Sequence, residues 1–74
     1  MKATSAVRDI MEKQGVKLIT LASRMNKGVS TVSERLRQDN ITVEKLNELL
    51  RLLDYKVVVV PRSSRIPDGG YEVE

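Results

Sequence analysis

The chain has 74 residues, a formal net charge of +3 and a hydrophobic share of 41%, and it contains no Phe, Trp, Cys or His. A chain this short holds one domain, near the lower limit for a self-sufficient core. Disulfides and His/Cys zinc sites are excluded, so the core must come from Leu, Val, Ile, Met and Ala, and self-association is the expected extra source of stability.

The first helix is expected over residues 4–14, "TSAVRDIMEKQ", with Ala6, Val7, Ile10 and Met11 at helical spacing and Arg8, Asp9, Glu12 and Lys13 outside. Thr4 or Ser5 is the expected cap and Gly15 the stop. The second helix, at about 17–25, buries Leu18, Leu21, Ala22 and Met25. Asn26-Lys27-Gly28 then turns the chain, and Asn or Gly should hold the bend because both accept left-handed backbone angles cheaply. The third helix covers about 29–37, with Val29, Val32 and Leu36 on one stripe. At about 100° per residue its opposite face carries Ser30, Thr31, Glu34 and Gln38, flanked by Arg35 and Arg37.

"QDN" ends that helix, and "ITVEKLNELLRLLD" forms the fourth. Thr42 fits as N-cap, and Ile41 with Leu46 has hydrophobic-staple spacing. Val43, Leu46, Leu49, Leu50 and Leu53 form its apolar face. In "YKVVVV" the chain changes to β-branched residues, which suit a strand, and Pro61 ends it. "RSSRIPDGG" reads as a loop and "YEVE" alternates, so a hairpin of about 55–60 with 70–74 is expected.

Catalysis finds little support. Nucleophile–base pairs of the Cys/His kind are impossible, and Gly15, Gly28, Gly69 and Gly70 match neither a phosphate loop nor a dinucleotide fingerprint. No cofactor and no metal are expected. No stretch approaches the roughly 18 apolar residues of a membrane span, and the absence of Cys fits a cytoplasmic protein. Charge placement points elsewhere: between Lys17 and Arg37 lie five basic residues (Lys17, Arg24, Lys27, Arg35, Arg37) against Glu34 alone. A polar helical face with a basic rim suits base edges and phosphates of duplex DNA, and free N–H groups at both helix starts would add phosphate contacts. With two tyrosines as its only aromatics, the chain is poorly equipped to stack bases of single strands.

Residues 15–53 resemble the phage-repressor-like helix-turn-helix family, the Cro/repressor or XRE type. "LASRM" resembles its second helix, with Ala22 where the helices touch, and "TVS" at 31–33 followed by "ERL" resembles the middle of its recognition helix. "NITVEKLNELLRLLDYKVVVV" is similar to the fourth helix and following strand of short phage-like or mobile-element regulators. The chain departs from the pattern at Asn26, where Gly is usual, at Lys27 and Arg35, where apolar residues are common, and at Leu18, where Gln is frequent. Leu36 is the residue placed to take over the burial that Arg35 gives up.

The resemblance implies a mainly α protein: a compact four-helix repressor-like domain at 1–54, its helix-turn-helix at about 17–37, and a strand or hairpin at 55–74 serving dimerisation through Val57, Val58, Val59 and Val60. It implies base contacts at Val29, Ser30 and Glu34. Phosphate or flanking contacts fall at Lys17, Lys27, Thr31, Arg35, Arg37, Gln38 and Asn40. The expected function is a sequence-specific, homodimeric transcriptional regulator of bacterial or phage type, acting as a repressor on double-stranded DNA. The alternative is a protein-interaction module, antitoxin-like or a phage adaptor, that docks a protein partner through the valine strand.

Overall fold

In the computed structural model, which describes residues 2–62 and 70–73, the chain forms helices α1 (Ala3–Gln14), α2 (Leu18–Met25), α3 (Val29–Arg35) and α4 (Val43–Arg51). Strands β1 (Val57–Val59) and β2 (Tyr71–Val73) follow as a two-stranded antiparallel sheet. The register pairs Val57 with Val73, Val58 with Glu72 and Val59 with Tyr71. Among the described residues no helix is long and apolar enough to cross a membrane.

Three helix ends share one device. Gly15 (φ 68°), Asn26 (φ 56°) and Asp54 (φ 64°) adopt the left-handed conformation just beyond α1, α2 and α4. In each case the following residue donates its N–H five positions back: Val16 to Met11 (2.8 Å), Lys27 to Ala22 (3.1 Å) and Tyr55 to Leu50 (2.9 Å). These are Schellman endings, which satisfy carbonyls the helix leaves unpaired. Asn26, not Gly28, thus makes the turn between α2 and α3, and Gly28 lies in extended backbone as the α3 N-cap. At Asp54 the same geometry arises without glycine; Asp tolerates it better than most residues.

The core consists of Val7 and Met11 from α1, Leu21 and Ala22 from α2, Val32 and Leu36, and Leu49, Leu50 and Leu53 from the α4 region. Leu21, Leu49 and Leu53 are fully enclosed, each removing apolar surface worth about 2 kcal/mol from water. Ile41 and Leu46 both pack against this cluster, and Thr42 Oγ1 accepts from the Lys45 N–H at 3.2 Å.

Several expectations are corrected. The residue at the start of α1 is Lys2, not Thr4 or Ser5; Thr4 lies buried inside the first turn and its hydroxyl donates to the Gln38 carbonyl at 3.2 Å. A buried hydroxyl must find a partner, and a neighbouring segment supplies a better one than its own helix start. α3 ends at Arg35, two residues earlier than expected. Val29, assigned to the buried stripe, is 41% exposed, and Val43 is 45% exposed, because each sits in the first turn of its helix beyond the reach of the core. The inner face of α4 instead holds Asn47, buried, with Nδ2 donating to the Val73 carbonyl at 2.6 Å. That bond joins the sheet to the helices, together with Val57, which packs on its own chain's core. The strands span three residues each, shorter than the ranges 55–60 and 70–74; residues 63–69 of the expected loop and the end of "YEVE" at position 74 lie outside the described residues.

Candidate nucleic-acid interface

α3 packs mainly against α2 and gives the core only Val32 and, at its end, Leu36. Its other side is open: Ser30, Thr31 and Glu34 are exposed and Gln38 is half-buried just beyond the helix. Thr31, Glu34, Arg35 and Gln38 line a shallow hollow of about 300 Å³ together with Lys45 of α4. Lys45 was not singled out from the sequence. Nothing in the α4 pattern separates it from any other polar residue of that helix, and only the crossing of α4 beside α3 brings it to this face.

Val32 and Leu36 anchor α3 in the core against α2, and a set of polar ties adds to that hold. Arg35 donates to Glu48 of α4, and the arginine side chain is only 13% exposed. Arg35 therefore is no free phosphate contact, and that expectation is corrected: an arginine in a helix-side position lowers its desolvation cost by pairing with the carboxylate across the gap. Leu36 takes the buried position, as the sequence suggested. At the far end of α3, Arg8 donates to the Leu36 carbonyl (3.1 Å), Thr4 to the Gln38 carbonyl, and Lys2 Nζ pairs with Asp39 at 2.8 Å. α1 thus clasps the end of a helix that has no left-handed terminator of its own.

The Arg35 hydrogen bond is the chief reason the Glu48 carboxyl is held below the usual carboxylate range; burial opposes it, while Arg35, Lys27 and Lys45 add favourable charge. Lys27 and Lys45 therefore flank this pair on two sides. Lys27 lines a second hollow, of about 270 Å³, with Met25, Glu48, Arg51 and Leu52. Among the described residues, no salt bridge or side-chain hydrogen bond engages Lys17, Lys27, Ser30, Thr31, Glu34, Asn40 or Lys45 through its side chain. Arg37 is exposed and donates to Ser33 Oγ at 3.3 Å rather than to Glu34. Arg24, part of the basic cluster by sequence, donates instead to the Leu52 carbonyl at 3.2 Å, behind α4.

The basic residues thus separate into two groups. Arg8, Arg24 and Arg35 donate to helix-end carbonyls or a carboxylate and Arg37 to Ser33, whereas Lys17, Lys27 and Lys45 have no side-chain partner among the described residues. α4 begins with a side-chain cap and Glu44 in its first turn, whereas α2 and α3 begin with neither. Acid is thereby kept away from the α2 and α3 starts, where it would repel a polyanion.

No family model matches the chain, and neither a curated protein sequence nor a solved structure matches it.

Proposed function

We propose that the chain is a duplex-DNA-binding protein of the repressor-like helix-turn-helix class, with α2, the Asn26 turn and α3 as the motif. Within that class it acts as a sequence-specific transcriptional regulator, a repressor that lays α3 in the major groove. The observation that carries this reading is the outer face of α3. Among the described residues, its hydroxyl, carboxylate and amide groups at Ser30, Thr31, Glu34 and Gln38 make no side-chain hydrogen bond or salt bridge, and Lys27 and Lys45, which hold no ion pair there, stand beside them. Polar groups of this kind read base edges, and the flanking cations meet phosphates. Val29, exposed at the α3 start, offers an apolar contact to a thymine methyl. Lys17, Lys27, Arg37, Asn40 and Lys45 supply the flanking contacts.

Two copies bind together in this proposal, residues 55–74 forming the dimerisation element. β2 covers one edge of β1, and among the described residues no strand pairs with the other, where Val59 and Val60 are exposed; Tyr71 of β2 is 75% exposed. An open apolar edge pairs readily with another strand, and a two-fold arrangement of β1 with its mate would cover it. The same edge is what favours the second reading, a docking strand for a different protein. Val59→Lys separates the two: for a homodimer, sedimentation shifts it towards monomer, while an unchanged profile leaves the edge to another protein.

The main test is selection from random duplex DNA at two salt concentrations. An enriched motif, with affinity falling steeply as salt rises, is the expected result. Lys27→Ala should weaken all sequences alike and lower the salt slope by about 1, while Ser30→Ala relaxes one position of the motif. Absence of any enriched sequence would overturn specific regulation.

A further inference from the structure

We propose that Glu34 makes α3 select cytosine, its carboxylate accepting a hydrogen bond from the base's N4 amino group; the inference rests on the duplex-binding reading above. Glu34 is exposed on the outer face of α3, and among the described residues no base holds its carboxylate in a salt bridge. The adjacent cation that might have neutralised it, Arg35, is spent on Glu48. Arg37, within reach in sequence, bonds Ser33. Among the described residues the carboxylate therefore has no side-chain partner in the middle of the surface proposed to meet DNA.

Between two phosphate strands such a charge is repelled, and only a donor on a base edge offsets that cost. The major groove offers two kinds of amino donor, cytosine N4 and adenine N6. Adenine sets its N7 acceptor beside the donor, so the second carboxylate oxygen would meet a lone pair. Guanine presents two acceptors, and thymine an acceptor and a methyl. Cytosine N4 has its paired guanine's O6 acceptor on one side only and C–H on the other, whereas adenine N6 is flanked by acceptors on both, so cytosine is the edge that best suits a carboxylate. Lys45, on the rim of the same hollow, places a cation where a neighbouring phosphate can be held, which eases the approach of the acid.

The experiment is selection from random duplex DNA with the wild-type chain, Glu34→Ala and Glu34→Gln in parallel at one salt concentration, with thermal melts to compare folding. Position 34 is exposed, so the melts should coincide. The wild type should enrich cytosine at one position of each half-site, by about tenfold over the other bases. Glu34→Ala should lose that preference alone and bind unselected duplex a few-fold more tightly, since a repelled charge is gone. Glu34→Gln should move the preference to adenine, whose paired donor and acceptor match an amide. If Glu34→Ala reproduces the wild-type motif at every position, or the lost preference is for adenine, guanine or thymine, the cytosine assignment is overturned while duplex binding stands. A wild-type chain that enriches no motif overturns the cytosine assignment and specific regulation together, and one that retains no duplex at low salt overturns the duplex-binding reading as well.

Discussion

α3 and α4 are consecutive short helices with opposite relations to the core. α4 buries Leu49 and Leu50, is capped by Thr42, carries Glu44 in its first turn and leads into buried Leu53. α3 buries Val32 alone within its length, begins at Gly28 without a side-chain cap or an acid, and leaves Ser30, Thr31 and Glu34 outside. One helix is held by apolar burial. The other buries only Val32 and, just past its end, Leu36, and hydrogen bonds and an ion pair from α1 and α4 add to that hold. Burial is non-directional and strong, whereas polar ties are individually weak but fix orientation, which is what a reading surface needs.

The largest test of this contrast is Leu49→Ala. Leu49 is fully enclosed, and truncation should cost about 2–5 kcal/mol in urea unfolding, enough to abolish cooperative folding in so small a domain. Ser30→Ala, on the presented helix, should leave the same curve within about 0.5 kcal/mol. Next in size is Thr42→Ala, which removes the oxygen that accepts from Lys45 N–H and should cost about 1 kcal/mol by the same measurement.

The tie between the two helices is tested by pH. Because folding lowers the Glu48 pKa, the contribution of the Arg35 pair is complete above the ordinary carboxylate range and is lost as pH falls through the lowered value. Glu48→Gln should therefore reduce stability by under about 1 kcal/mol near neutral pH and by less in acid, flattening the acid limb of thermal melts. An unaltered pH profile would show that the pair does not hold α3. The smallest effect is expected from Gly28→Asp. A side chain there meets only Ser30 Oγ at 3.9 Å, and the new cap should raise stability by a few tenths of a kcal/mol. On the DNA-binding proposal, the same substitution adds a carboxylate beside Lys27 and should weaken retention on duplex DNA. Stabilisation with unchanged retention would count against that face.

Much of the helical layout was legible from residue spacing. Gly15 as a stop and Thr42 as a cap are local events settled within one turn of chain, so short-range chemistry suffices to read them. The exposed set Ser30, Thr31 and Glu34 was likewise legible, since a helix with few apolar positions has few ways to face a core. The roles of the longer polar side chains were not. Arg24 and Arg35 read as part of a basic cluster, and their partners, the Leu52 carbonyl and Glu48, lie 28 and 13 residues away. Thr4 read as a cap because nothing nearby indicates that the Gln38 carbonyl, 34 residues on, would claim its hydroxyl. Asn47 drew no reading from the sequence, yet it is buried and donates to the Val73 carbonyl.

By itself the sequence determined the number of helices, a turn within Asn26-Lys27-Gly28, the buried leucines of the fourth helix and the paired strands, because hydrophobic periodicity and left-handed terminators act over a few residues. Tertiary structure alone decided which cations are committed to the fold and which remain exposed. A guanidinium reaches whatever acceptor the packing brings near, and that neighbour is chosen by how the helices cross, not by adjacency in the chain. The hollow that sets Lys45 beside Thr31, Glu34 and Gln38 exists for the same reason.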